Sequence, residues 1–143
     1  MEKKKQASFN EAAEAFEFLK GFIGRSQLLA MKEVCNGEEK QFMLDKLVEM
    51  ADRIHTMPKI GETDAQGNGA IVYLHYFRGN MDWHITEKDS EPEQLQAFGL
   101  CDLGMGFPEL GYVSIEELKG VRAELDLYFK PVSLAAIQDK PLN

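Results

Sequence analysis

Residues 73–89 read YLHYFRGNMDWHITEKD, with two of the chain's three histidines and its only tryptophan gathered around an Arg-Gly-Asn turn. Residues 70–77 are mostly β-branched or aromatic, the composition of a strand. Gly79-Asn80 is a pair that closes a tight hairpin. A two-residue turn there predicts Arg78 opposite Met81, Phe77 opposite Asp82, Tyr76 opposite Trp83 and His75 opposite His84. Alternation along the strands then puts Val72, Leu74, Tyr76, Trp83 and Ile85 on one face. Tyr73, His75, Phe77, Asp82, His84 and Thr86 fall on the other. The first set is apolar without interruption and is assigned to the core.

Opposed positions hold their Cβ atoms roughly 4.5–5.5 Å apart, so His75 and His84 are close enough to share a metal ion. Two ligands do not make a zinc site, which takes three or four. His55 sits far off in sequence, beside a helix end, and no Cys-x-x-Cys or His-x-x-x-His spacing occurs. The sequence therefore assigns no metal and no cofactor. It reads Tyr73, His75, His84 and Thr86 as a partly exposed polar cluster.

Upstream of the hairpin the pattern is helical. Ser8 followed by Glu11 is a capping box. It opens a helix to about Lys20 with Phe9, Ala13, Phe16 and Leu19 near one stripe. A second helix spans about 26–35 and stops at Asn36-Gly37. A third spans about 38–55, with Leu44, Leu47, Val48, Ala51 and Ile54 at helical spacing, and Pro58 blocks its continuation. Downstream, residues 95–103 form a strand whose Ala97, Gly99 and Cys101 make a small-residue face that a helix could approach. Residues 109–113 form a short strand, and Ser114 with Glu117 opens one or two helical turns. Residues 124–130, ELDLYFK, alternate as a strand with Leu125, Leu127 and Phe129 inward, and Ser133 to Ile137 form a last turn of helix. The expected architecture is α+β, three helices packed on a mainly antiparallel sheet of about five strands. At 143 residues the chain is expected to form one domain, with a helical part at 1–58 and a β-rich part at 70–137.

Charge separates the two parts. Residues 1–60 hold ten Lys/Arg and ten Asp/Glu, whereas residues 61–143 hold six and fourteen. The whole net charge of −8 therefore sits in the β-rich part, where it repels nucleic-acid phosphates and attracts a basic protein surface. No apolar run approaches the ~20 residues of a membrane span. The basic start, MEKKK, is not followed by a signal-peptide core. Cys35 and Cys101 read as reduced thiols, and the expected compartment is the cytoplasm.

Catalytic patterns are thin, and no catalytic residue is assigned. The Gly104-Met105-Gly106 loop lacks the spacing of a phosphate cradle and is followed by acidic residues. Glu109, Glu116 and Glu117 show no cleft spacing, and Glu117 is accounted for by the cap. No serine lies in a Gly-x-Ser-x-Gly elbow. Met105 and Phe107 stand on a glycine-flanked tip. Folding of Phe107 back onto the sheet is the commoner outcome there, and an apolar contact point is the alternative.

Three segments resemble one family. WHITEKD at 83–89, AFGLCDLGMGFPELGYVSIEELKG at 97–120 and ELDLYFKP at 124–131 are similar to the domain of unknown function numbered 2958. Trp83, Thr86-Glu87, Phe98-Gly99, the block Glu109 to Leu118 and Asp126 to Pro131 carry the resemblance, over roughly residues 70–137. It implies a setting on plasmids, integrative elements and phages, and no chemistry. Together with the charge split, it points to an accessory protein of a mobile element that binds a basic protein partner, with an antagonist of a host-defence or nucleic-acid-binding protein as the form considered. The candidate surface is Asp82, Glu87, Asp89, Met105, Phe107, Glu124 and Asp126. The alternative is a small metal-dependent hydrolase using His75 and His84.

Overall fold

The computed structural model describes residues 5–138. Three helices come first: α1 (Phe9–Leu19), α2 (Arg25–Val34) and α3 (Lys40–Thr56). Both reciprocal bonds of the Ser8–Glu11 capping box are present at α1. The buried side of α1 is Ala12, Ala15 and Leu19, rotated from the expected stripe, so that Phe9 is exposed. Two alanines let α1 lie close along α3, which a phenylalanine at the same positions would prevent.

A 3-10 turn (Asp64–Gly69) leads into β1 (Ile71–Val72), β2 (Leu74–Arg78), β3 (Met81–Glu87), β4 (Ala97–Asp102) and β5 (Glu109–Val113). Next along the chain are α4 (Ile115–Gly120), β6 (Glu124–Leu125), β7 (Val132–Ser133) and α5 (Leu134–Gln138). The main sheet is fully antiparallel, in the order β5-β4-β3-β2-β6, and β1 pairs with β7 in a small separate ribbon. The protein is α+β, as the sequence pattern implies.

The hairpin register is the expected one: His75 pairs with His84, Tyr76 with Trp83, Phe77 with Asp82 and Arg78 with Met81. Gly79 supplies the positive φ, 57°, that a two-residue turn beginning with glycine requires. Leu74, Tyr76, Trp83 and Ile85 pack with Leu19, Ile23, Met50 and Ile54 in one apolar cluster between sheet and helices. The Tyr76 hydroxyl donates to the Phe22 carbonyl at 2.6 Å. That bond satisfies the single polar atom carried into this core by a wholly buried ring, whose burial pushes its ionisation up.

Three expectations need correction, each at an irregularity that alternation does not encode. The strand expected through Tyr73 breaks there: Tyr73 N–H donates to the Ile85 carbonyl, although Ile85 already pairs with Leu74. Val72 consequently faces the far side of the sheet, in a small second cluster with Ala70, Leu100 and Leu134. The register of β3 on β4 slips between Ile85 and Glu87. This bulge buries Thr86 and Glu87 instead of exposing them. The last sheet strand ends at Leu125, and residues 126–130 turn instead of continuing.

Gly99 faces a strand, not a helix. A Cβ at Gly99 would lie 2.1 Å from the His84 carbonyl oxygen and 2.8 Å from Ile85 Cα, so neighbouring backbone fills the place where a side chain would stand. At Gly111, its partner on β5, a Cβ meets nothing within 4 Å. Gly99→Ala is expected to cost about 3 kcal/mol, because the backbone must give way, and Gly111→Ala to stay within about 0.5 kcal/mol. Denaturant midpoints of the two variants measure the difference. Equal midpoints would rule out the tight β3–β4 approach.

Candidate functional site

The face of the sheet turned away from the helices carries the polar groups. His75 and His84, opposed across β2 and β3, stack with ring centroids 4.5 Å apart and planes 5° from parallel. Phe129 leans over both rings at 5.7 and 6.0 Å. The carbonyl of Phe129 accepts from Arg53 Nη1 of α3 at 2.8 Å, so the lid is held from the helical layer. Burial lowers the proton affinity of that guanidinium, and accepting carbonyls compensate part of its lost hydration.

His75 lies between two carboxylates. Its Nε2 is 2.6 Å from Asp82 Oδ1 and its Nδ1 is 3.1 Å from Asp126 Oδ2. Carboxylates only accept, so both contacts are hydrogen bonds when both ring nitrogens carry protons. Asp126 reaches this position because its backbone N–H bonds to the His75 carbonyl at 2.8 Å, and its Oδ1 accepts from Tyr128 N at 3.0 Å. An aspartate that organises its own turn ends the strand that alternation predicts.

The expected surface residues therefore separate. Asp82 and Asp126 join His75 and His84, whereas Tyr73 packs against the main core. Thr86 is buried and donates to the Phe98 carbonyl. Glu87 is also buried, its Oε2 accepting from both the N–H and the hydroxyl of Thr63 at 2.7 Å. It is an anchor for the loop after α3, not part of an exposed face. Asp89 accepts from the N–H groups of Leu95 and Gln96. Desolvation raises its proton affinity, but the backbone N–H groups of Glu91, Gln96, Leu95 and Ser90 together outweigh it and hold the carboxyl below the usual range. Glu124 is exposed at the sheet edge. Met105 and Phe107 project outward, Phe107 at 81% exposure, so the tip does not fold back onto the sheet.

Asp102 is a member of this face that the sequence pattern does not reveal. It pairs with Asp82 across β3 and β4, and Asp82 pairs with Phe77, which pairs with Glu124. One transverse row, Glu124–Phe77–Asp82–Asp102, thus crosses four strands. Its signal in the sequence is the spacing of Asp102 from Leu100 within β4, legible only once the β3–β4 register is known.

Little in this arrangement supports catalysis. His75 has both nitrogens engaged, and among the described residues no group of three or more His, Cys, Asp or Glu could hold a metal ion. Burial raises both thiols, Cys101 without opposition and Cys35 against the nearby Lys40, opposite to the shift that makes a cysteine nucleophilic. Among the described residues no helix is long and apolar enough to cross a membrane.

Comparison with known families matches residues 43–133 to the family model described as "Protein of unknown function (DUF2958)". The alignment begins inside α3, upstream of the segments that carry the resemblance. No curated protein and no solved structure matches the chain.

His75→Phe keeps the stack on His84 and removes both carboxylate contacts. Stability is expected to fall by roughly 1–2 kcal/mol. Amide exchange at Tyr128 should quicken, with no change at Trp83. An unaltered Tyr128 rate would show that His75 does not hold the turn. For the thiols, raised proton affinity means less thiolate at neutral pH. Alkylation by iodoacetamide, read by mass spectrometry, should be slower than for free cysteine and climb as the pH rises through the raised values. A Cys101 more reactive than free cysteine would reverse that reading.

Proposed function

The chain belongs to the DUF2958 family, a membership that carries no chemistry, and from the surface we propose that it acts by binding a basic protein partner through the outer face of its sheet. One observation carries the proposal: Asp82 and Asp102 stand directly opposite each other on adjacent strands. Like charges so placed repel and destabilise the pair. His75 contacts Asp82, Arg53 acts electrostatically on Asp126, and among the described residues no Lys or Arg forms an ion pair with Glu124, Asp82 or Asp102. A lysine or arginine from a partner, set between Asp82 and Asp102, relieves that repulsion and gains two charge-assisted bonds. Phe77, between Glu124 and Asp82 in the row, offers apolar contact for the stem of such a side chain.

The net charge of −8 steers basic surfaces toward this face and repels phosphate backbones. The partner class is a protein with a basic groove, which includes nucleic-acid-binding proteins whose groove the acidic row occupies in place of phosphates. The mobile-element setting implied by the sequence resemblance makes a cytoplasmic host-defence protein of that kind the form we propose.

Reversing the half-buried Asp102 and the exposed Glu124, Asp102→Lys with Glu124→Lys, is expected to change stability by under about 0.5 kcal/mol at Glu124 and by about 1 kcal/mol at Asp102, whose Oδ1 accepts from Gly104 N. Affinity capture from a host lysate at low salt should retain a basic protein on the native chain, release it as salt rises, and lose it on the reversed variant. Failure to capture any partner, or equal capture by the variant at low salt, would sink the proposal.

A further inference from the structure

We propose that two copies of this chain join through β5, extending the sheet across a two-fold axis at Gly111. The two edges of the sheet are treated differently. At β6 the side-chain amide of Gln27 takes the place of a further strand: its Nε2 donates to the Leu125 carbonyl at 2.7 Å and its Oε1 accepts from Leu125 N at 2.9 Å. At β5 no described strand lies beyond. Exposed edges are ordinarily blunted by charge, proline or a cover, because they pair with other chains. Residues 109–113, ELGYV, contain one charge and no proline.

The pattern of bonds says which backbone groups β5 offers. A two-residue turn makes Arg78 and Met81 a bonded pair, and bonded and non-bonded pairs alternate from there. Tyr76–Trp83 is then bonded, and Asp82 and His84 direct their amide and carbonyl groups to β4. The donation from Asp126 N to the His75 carbonyl at the other side of β2 is what this alternation requires. Carried through the β3–β4 and β4–β5 registers, it turns Glu109, Gly111 and Val113 toward β4. The N–H and C=O groups of Leu110 and Tyr112 point outward.

An antiparallel second copy centred on Gly111 meets these groups. Leu110 pairs with Tyr112 of the second copy, and Tyr112 with its Leu110, which makes four backbone bonds and two aliphatic–aromatic cross-strand contacts. Glu109 faces Val113 of the second copy, so no like charges oppose. The two glycines face each other on the axis as a non-bonded pair. This self-matching is the requirement of an isologous interface.

Charge also selects the occupant. Among residues 103–113 Glu109 is the only charged residue, so the patch offers little to a strongly basic segment. It is apolar instead: Leu103, Met105, Phe107, Leu110 and Tyr112 are 50%, 70%, 81%, 47% and 67% exposed. At about 200 Å² per large side chain, these amount to roughly 600 Å² per copy, close to the ~800 Å² per partner of a standard interface. The dimer is independent of the acidic row, which lies further along the same face and remains open in both copies.

Light scattering coupled to size exclusion, run across the micromolar range, is expected to give twice the chain mass for the native protein. It should give the monomer mass for Leu110→Lys with Tyr112→Lys, at unchanged circular dichroism. Gly111→Cys in a Cys35→Ser/Cys101→Ser background tests the register without depending on the lysine variant. Facing Cα atoms of a non-bonded pair lie ~4.5 Å apart, within disulfide reach, and a Cβ at Gly111 has free space. Mild oxidation should link most of the protein as a covalent dimer. A native chain that stays monomeric, or a dimer that persists in the lysine variant, overturns the proposal. So does a dimer that does not cross-link at position 111.

Discussion

Two residues, Gly79 and Asn80, close β2 onto β3, and that count sets the register and with it the side of the sheet that every neighbouring side chain takes. In this register Tyr76 and Trp83 enter the core, and the Tyr76 hydroxyl finds the Phe22 carbonyl. His75 and His84 stack on the opposite face, and Asp82 comes level with both Phe77 and Asp102. A slip of one residue would bury the imidazoles and the aspartate, and strand the tryptophan outside.

Because local rules set that register, much of the fold was legible in the sequence. The three helices lie within about two residues of their expected ends, since the cap at Ser8 and the stops at Asn36-Gly37 and Pro58 act over a single turn of chain. Side-chain alternation failed at Tyr73, Thr86 and Asp126, where the backbone departs from regular pairing. At Thr86 the bulge reverses the facing of Glu87 and gives it two donors from Thr63. The loop supplying them lies 24 residues away in sequence and has no periodicity to announce it. At Asp126 a side chain that accepts from Tyr128 N outcompetes a strand of favourable alternation. The candidate surface was half legible for the same reason. Asp82 and Glu124 belong to it by position in a strand, Asp126 through the turn it organises, and Asp102 only through pairing.

On the polar face an imidazole holds the acids of two elements together. His75 bridges two carboxylates from different elements, and Phe129 shields the stack under the hold of Arg53. The imidazole is thereby occupied in cross-linking a hairpin to a turn. Glu124, Asp82 and Asp102 form the next row toward the hairpin end, the row proposed to meet a partner.

Gln27 has a consequence for the order in which the molecule is made. Its amide closes the β6 edge from a helix 98 residues upstream, and Lys119 reaches the Lys20 carbonyl across nearly the same separation. A contact so distant along the chain incurs its loop-closure entropy before returning any gain, and such contacts slow folding. On the ribosome α2 emerges well before the strand it completes. The helical layer and the β2–β3 hairpin therefore lack their closing contact at Leu125 until β6 has been synthesised, and the apolar surface left open in that interval is what a chaperone can bind.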